Sequence, residues 1–259
     1  MTTATTEIKS KKVIAIVQAR MGSARLPGKV LKPIAGVPLI VFLLNRLKHV
    51  SSVDHIVLAT SRNSENDDLA DTVKAAGFDV FRGDEDDVLR RFYDCATLYQ
   101  ASDIVRITGD SPLLSPKLCE TLIQAYFNKQ ADYAYLSEHF AEGVDCEVIS
   151  YAALSHAHIT ASLASEREHV TLFVYQHKES FNIIELANDS DDSGYRFTVD
   201  NQEDYQVVQA IVNNPAFTGA IEYSEIKQFL DDNLAIKQLN QHIVRNEGLI
   251  KSLKNDHIV

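Results

Sequence analysis

Val13-Ile14-Ala15-Ile16-Val17 runs straight into Gln18-Ala19-Arg20-Met21-Gly22-Ser23-Ala24-Arg25-Leu26-Pro27-Gly28-Lys29. The first five residues are apolar and mostly β-branched, the mark of a strand buried on both faces. The stretch after them carries Arg20, Arg25 and Lys29 together with Gly22, Ser23 and Gly28. A buried strand that opens into a cationic loop of this kind is how open α/β sheets hold phosphate at their carboxyl edge. Gly22 lets the backbone approach an anion, and the Ser23 hydroxyl can bond phosphate oxygens. Arg20, Arg25 and Lys29 can neutralise a polyphosphate. The spacing is not that of a Walker A loop: Gly22 and Gly28 are one residue too far apart, Pro27 lies between them and Val30 follows Lys29. The dinucleotide pattern Gly-x-Gly-x-x-Gly is absent.

Outward from this loop, strand and helix patterns alternate. Residues 39–47 read as a buried helix behind Pro38, 55–60 as a strand, and 67–76 as a polar helix closed by Gly77. Residues 79–82 and 103–108 read as strands, and 87–99 and 115–129 as helices. This alternation predicts an α/β domain with a mostly parallel open sheet. The middle of the chain is less regular. Residues 131–136, 144–149, 181–186 and 195–199 read as strands, and 151–161, 165–177 and 200–213 as helices. The resulting division is a disordered lead-in over 1–12, a single domain over 13–214, and an amphipathic helical extension over 215–259. That extension is expected to pack on the domain or on a partner, a homodimer being one arrangement.

At 259 residues and 45% hydrophobic content the chain can bury one full core. Its formal charge of −11 argues against a nucleic-acid or anionic-membrane partner and makes the basic loop a local exception. Cys95, Cys119 and Cys146 are too few and too scattered for a disulfide frame or zinc site. They fit a reducing, cytoplasmic setting. No signal peptide is read at the start, and no apolar run is long enough to span a bilayer.

Two aspartates stand at the carboxyl ends of predicted strands, where open α/β sheets place ligands. Asp110 lies in Thr108-Gly109-Asp110-Ser111-Pro112-Leu113, and Asp200 follows Tyr195-Arg196-Phe197-Thr198-Val199. One or two carboxylates plus substrate phosphates commonly hold Mg²⁺. Taken singly, Asp200 reads better as a helix cap and Asp110 as a turn residue than as metal ligands. Beside a polyphosphate loop they read as a metal pair. Asp145 and Glu147, two apart in a predicted strand, share one face and suit polar substrate recognition or an exposed surface. Arg106 on the 103–108 strand is grouped with them. In Ser165-Glu166-Arg167-Glu168-His169, a capping box explains Ser165 and Glu168 but not Arg167 or His169.

The Gln-Ala-Arg-Met-Gly-Ser-x-Arg-Leu-Pro-Gly-Lys run resembles the nucleotide-binding signature of the cytidylyltransferases that activate acidic sugars, the CMP-sialate and CMP-Kdo synthetases. It looks closest to their relatives named for spore-coat polysaccharide synthesis. The resemblance implies a nucleotide-diphospho-sugar transferase (GT-A-like) fold, CTP as donor and Mg²⁺ as cofactor. Gly109-Asp110-Ser111-Pro112-Leu113 and Val199-Asp200-Asn201-Gln202-Glu203-Asp204 resemble the family's two Mg²⁺-binding motifs, whose first aspartates hold the metal. Arg82-Gly83-Asp84-Glu85 resembles a segment of the spore-coat relatives, which makes Arg82 and Gly83 candidate nucleotide contacts. The Arg167-Glu168-His169 run resembles their Arg-Glu-His segment and implies a sugar-site role. Thr108 stands where Kdo-type enzymes often carry glutamine near the base, and Gln18 where many relatives have proline.

The reaction this implies is nucleotidyl transfer from CTP to an acidic sugar or phosphorylated acceptor, with pyrophosphate leaving, for surface polysaccharide synthesis. Arg20 and Lys29 are the expected catalytic cations. Arg20, Gly22, Ser23, Arg25, Lys29, Arg82, Gly83 and Thr108 are the expected nucleotide contacts. Arg106, Asp145, Glu147, Arg167 and His169 are the expected substrate contacts, and Asp110 and Asp200 the metal ligands. The alternative is a metal-dependent glycosyltransferase of the same fold using Asp84-Glu85-Asp86 or Asp189-Ser190-Asp191 as its Asp-x-Asp motif. Neither motif explains three cations after the first strand. A non-catalytic nucleotide sensor fits poorly with intact Lys29, Asp110 and Asp200.

Overall fold

The computed structural model describes residues 11–217 and 221–259. Most of the lead-in expected over 1–12 lies outside the described residues, and Lys12 is already tied in by its backbone N–H, which donates to Ser102 Oγ at 2.7 Å. In chain order the elements are β1 (Val13–Gln18), β2 (Pro33–Ile34), β3 (Val37–Pro38), α1 (Leu39–Leu47), β4 (His55–Ser61), α2 (Asp67–Ala75) and β5 (Asp79–Gly83). Then come α3 (Val88–Leu98), β6 (Asp103–Thr108), α4 (Pro116–Asn128), β7 (Tyr133–Leu136), β8 (Glu147–Ser150) and α5 (Tyr151–Thr160). They are followed by α6 (Ala164–Glu168), α7 (Leu172–Gln176), β9 (Ile183–Leu186), α8 (Gln202–Val212), α9 (Tyr223–Asp232), α10 (Leu234–Lys237) and α11 (Glu247–Lys254).

The main sheet has the order β5-β4-β1-β6-β8-β7-β9. Its β5, β4, β1 and β6 strands run parallel, β8 is antiparallel to both β6 and β7, and β9 is parallel to β7. The single-domain, mostly parallel α/β fold matches the expectation. Because side chains alternate across a strand, β1 feeds two cores. Val13, Ala15 and Val17 face α1, α2, α4 and α8, while Ile14 and Ile16 face α3, α5 and α7. Polar residues are scarce on β1 because both of its faces are covered.

Three expectations are corrected. Residues 195–199 form no ladder strand: Arg196 makes one isolated bridge to Glu142, and Val199 N–H donates to the Asp110 carbonyl at 2.8 Å. The 165–177 helix is two short helices, split where Val170 takes a left-handed φ of 42°. No Ser165/Glu168 capping box forms; Glu166 instead accepts from the Ser162 and Leu163 N–H groups, each at 3.0 Å. Ser165 donates to Asp256 Oδ2 at 2.6 Å. The β2–β3 hairpin, unforeseen from sequence, turns on Ala35 and Gly36, both with positive φ, as a type I′ turn requires.

The extension packs back on the domain. Ile226 and Leu230 of α9 are buried in the main core, and Lys227 bonds Asp192 at 2.7 Å. Among the described residues no helix is long and apolar enough to cross a membrane.

Candidate active site

The basic loop leaves the carboxyl end of β1 and folds on itself. Gly28 N–H and Ser23 N–H both donate to the Met21 carbonyl, at 3.3 and 2.8 Å. Met21 N–H donates to Asn66 Oδ1 at 2.8 Å, pinning the loop to the β4–α2 connection. Gly28 has a φ of 65°, a conformation glycine adopts without strain. This turn, with Leu26 buried beneath it, aims Lys29 back under the loop.

Next to it, the end of β6 is drawn against β1, with Gly109 N–H donating to the Gln18 carbonyl at 2.7 Å. A Cβ on Gly109 would lie 2.6 Å from Ala19 Cβ, so only glycine permits this approach. Asp110 follows at once. Its carbonyl accepts from Val199 N–H at 2.8 Å and Thr198 Oγ1 at 3.2 Å, which brings the segment before Asp200 alongside. Asp110 and Asp200, far apart in sequence, thereby share one partner. Lys29 Nζ lies 2.9 Å from Asp110 Oδ2 and 2.8 Å from Asp200 Oδ1. Burial alone would lower the Lys29 pKa, but the two carboxylates outweigh it and hold the ammonium above its ordinary value. Burial likewise opposes the charge on Asp110, and Lys29 overrides it, holding that carboxyl below its usual range.

Asp200 has further partners. Arg25 reaches Asp200 Oδ1 at 3.0 Å and also bonds Glu247, while Arg196 reaches Asp200 Oδ2 at 3.1 Å. Arg196 is buried and held from behind by Asp204, whose Oδ1 accepts from its Nε at 2.8 Å, and by Glu142. Asp204 Oδ2 also accepts from the Asp200 and Asn201 N–H groups, each at 3.0 Å. The second acidic motif therefore splits into a site carboxylate, Asp200, and a buried one that positions it, Asp204.

These groups line a cleft of about 430 Å³. Arg20, Gly22, Ser23, Arg25 and Lys29 form one wall; Thr108, Asp110, His169 and Asp200 complete it. Arg20 pairs with Glu85 at 2.8 Å across the cleft edge, and Thr108 Oγ1 contacts Ser111 Oγ at 3.2 Å. His169 precedes the left-handed Val170, the kind of sparsely populated conformation that often accompanies a working site. Burial pushes the His169 imidazole below its ordinary pKa.

The other expected contacts do not line the cleft. Arg82 is engaged with the Ser61 carbonyl at 2.9 Å, the Asn63 carbonyl at 2.8 Å and the Asp67 carboxylate at 2.5 Å. Gly83 abuts Arg91, where a Cβ would lie 2.8 Å from Arg91 Cγ. Arg106 bonds Glu147, which also accepts from Tyr133 and, at 2.7 Å, from Thr171. Asp145 precedes β8, so the two acids do not share a strand face; it accepts from Gly143 N–H at 2.9 Å. Arg167 meets Asp87 at 3.5 Å and His158 at 3.3 Å.

Sequence reasoning missed Arg91, Glu168 and Lys251, all of which line the cleft. Arg91 was detectable as a charge on the apolar face of α3. Lys251 offers no local signal. The Asp-x-Asp candidates are not in the cleft lining. Asp84 Oδ1 accepts from the Asp86 and Asp87 N–H groups, each at 3.0 Å, and Asp191 Oδ1 from Ser193 N–H at 3.0 Å. Both are turn-forming aspartates.

The sequence profile of the cytidylyltransferase family matches residues 14–251. The chain is 33% identical over 228 residues to the spore coat polysaccharide biosynthesis protein SpsF of Bacillus subtilis, covering 85% of this chain and 95% of that one. It is 33% identical over 129 residues to the 3-deoxy-manno-octulosonate cytidylyltransferase of Serratia proteamaculans, covering 48% of this chain and 50% of that protein. A cytidylyltransferase structure from Leptospira borgpetersenii superposes with a TM-score of 0.85 at 32% identity, covering 91% of this chain and all (100%) of the other. With a cationic loop, a lysine-bridged aspartate pair and a matching profile over nearly its whole length, this chain belongs to the cytidylyltransferase family.

Proposed function

We propose that the chain transfers a cytidylyl group from CTP to an acidic sugar, in a Mg²⁺-dependent reaction that supplies surface polysaccharide synthesis. The observation that carries this reading is the Lys29 ammonium between Asp110 and Asp200, at 2.9 and 2.8 Å, under a loop bearing Arg20 and Arg25. The names of the SpsF and 3-deoxy-manno-octulosonate relatives support the polysaccharide and acidic-sugar parts. A phosphorylated acceptor is the second substrate class that the same cations would accommodate.

The two aspartates fit a hard divalent cation. Their oxygens already hold one positive group, Lys29, between them, and carboxylate oxygen is the donor Mg²⁺ prefers. Among the described residues no cluster of three or more acidic, His or Cys side chains converges, so substrate phosphate oxygens are needed to complete the shell. When bound, the ion supplies charge neutralisation and polarisation of the phosphate.

The rest of the chemistry belongs to the chain. The acceptor hydroxyl oxygen bonds to the α-phosphorus as the α–β bridging oxygen leaves with pyrophosphate, and the hydroxyl proton passes to water or to the released pyrophosphate. Phosphoryl-type transfer of this kind is governed by positioning and charge. Lys29 stays charged at neutral pH, so it serves as a donor to developing negative charge and not as a base. Arg25 and Arg20 extend that positive wall along the triphosphate, with loop amides and the Ser23 hydroxyl adding donors. Thr108 lies in the cleft lining where it can meet the base. The acceptor is assigned to the side of His169, whose imidazole is biased by burial toward its neutral form. Behind it, Arg106, Glu147 and Thr171 lock the wall, and Asp145 and Arg167 buttress neighbouring loops. Arg82 and Gly83 shape the nucleotide side from outside the cleft.

The test is pyrophosphate release from CTP, with ATP, GTP and UTP for comparison, across a panel of acidic sugars with Mg²⁺. CTP should be preferred, and Asp110→Asn and Asp200→Asn should each lose on the order of 10²-fold in turnover. Full turnover in either folded variant excludes that aspartate from the reaction.

A further inference from the structure

The C-terminal helix α11 reaches the site, and the charges there alternate in sign. From the floor outward run Asp110, Lys29, Asp200, Arg25, Glu247 and Lys251, each bonded to the next. The last link is Glu247 Oε1 to Lys251 Nζ at 2.7 Å, and both Gly248 and Lys251 line the cleft. Arg25, a cation of the phosphate loop, therefore has its outer edge occupied by a carboxylate from the tail. We propose that Glu247 is a built-in stand-in for a phosphate group, and that Lys251 is a triphosphate ligand which Glu247 holds until CTP arrives. This rests on the reading that CTP occupies the cleft.

The exchange is chemically favourable. A phosphate offers more acceptor oxygens and more charge than a carboxylate, and it suits the two-pronged arginine edge equally well. Glu247 is 35% exposed at its side chain, so it turns into water without a burial penalty. Lys251 then faces the β- and γ-phosphates as the nearest strong anion.

The helix itself need not leave. On its N-terminal side Arg245 donates to the Glu138 and Phe140 carbonyls at 2.7 and 2.8 Å, and Asn246 N–H to Glu142 Oε1 at 3.2 Å. On its C-terminal side Ser252 donates to Glu168 at 2.6 Å, Ser165 to Asp256 at 2.6 Å and Val259 N–H to the Ser162 carbonyl at 2.9 Å. A bridge anchored at both ends presents its side chains at fixed places, so the exchange is a rotation of Glu247 and Lys251.

The experiment is calorimetric titration of CTP with Mg²⁺ into the full chain, its Glu247→Gln variant and its Lys251→Gln variant, with CMP as the ligand lacking β- and γ-phosphates. Glu247→Gln should bind CTP about two- to fivefold tighter and Lys251→Gln weaker by a similar factor, the range expected for partly exposed charge pairs. Both effects should shrink for CMP. Melting temperatures of both variants separate binding from folding. Unchanged or weaker CTP binding by a folded Glu247→Gln overturns the stand-in role, and unchanged binding by Lys251→Gln overturns the ligand role. Failure of the wild-type chain to bind CTP overturns the functional reading beneath both.

Discussion

Lys29 serves two purposes that a single substitution can separate. It holds Asp110 and Asp200 together by contacts of 2.9 and 2.8 Å, and it points its charge into the cleft. Removing the ammonium leaves two carboxylates facing each other, and like charges at such a distance raise one pKa at the expense of the other. It also removes the cation that competes with any metal for those oxygens. Lys29→Met should therefore weaken CTP binding at least about tenfold, the value of one charge-assisted hydrogen bond, while strengthening binding of Mn²⁺ alone. Paired calorimetric titrations check the two signs. Weaker binding of both ligands means that the lysine builds the carboxylate pair rather than competing at it.

The elements show which kinds of information a sequence carries locally. β1 and its loop were legible because strand, glycines and cations are contiguous, and the chemistry depends on their order. Residues 195–199 misled because alternating apolar residues mark any half-buried extended segment. That segment is held by the Asp110 and Glu142 backbones rather than by a ladder. The break at Val170 was invisible, since a β-branched residue is a poor candidate for a left-handed turn. Arg196 and Lys251 acquire meaning only from distant segments, the one from Glu142 and the other from the cleft lining it joins. Helix ends obey local rules, and those of α3 and α4 depart from the usual residue, each closing on a left-handed glutamine, Gln100 and Gln130. Gln130 follows α4 with a φ of 49°, and Ala131 N–H donates to the Tyr126 carbonyl at 3.1 Å, a closing pattern usually built on glycine. Gln130→Gly should raise stability by up to about 1 kcal/mol, the relief of left-handed strain exceeding the added entropy of the unfolded chain. Urea denaturation measures it, and a loss of stability shows that unfolded-chain entropy outweighs the strain.

At the scale of the whole molecule, one buried ion pair joins α8, the site and the tail. Asp204 is 0% exposed and accepts from Arg196, from the Asp200 and Asn201 backbones, and from Asn240 Nδ2 at 2.9 Å. Asn240 also donates to the Arg196 carbonyl at 3.1 Å, so the chain beyond α10 is fastened to the same knot. Burial works against the Asp204 charge, but the Arg196 guanidinium prevails and holds its pKa below 3.8. Arg196 correspondingly stays charged, its pKa raised by Asp204 and Glu142 against burial. The direction of the pH effect follows. Below 3.8 the unfolded chain binds the Asp204 proton more readily than the folded one does. The pair's contribution is thus fully present above about pH 4 and is lost as pH falls through the folded value. Asp204→Asn removes the fully buried one of the three carboxylates around Arg196, a change that costs about 2–3 kcal/mol with Glu142 and Asp200 still in place. Denaturant unfolding from pH 7 down to acid should show that loss at neutral pH and a shallower decline of stability below pH 4. The same variant should bind CTP more weakly, because the Asp200 N–H loses the acceptor that sets its carboxylate. Wild-type stability at pH 7 with an unaltered acid limb would mean that Asp204 only caps α8, and that the Asn240 contact adds nothing to the fastening of the tail.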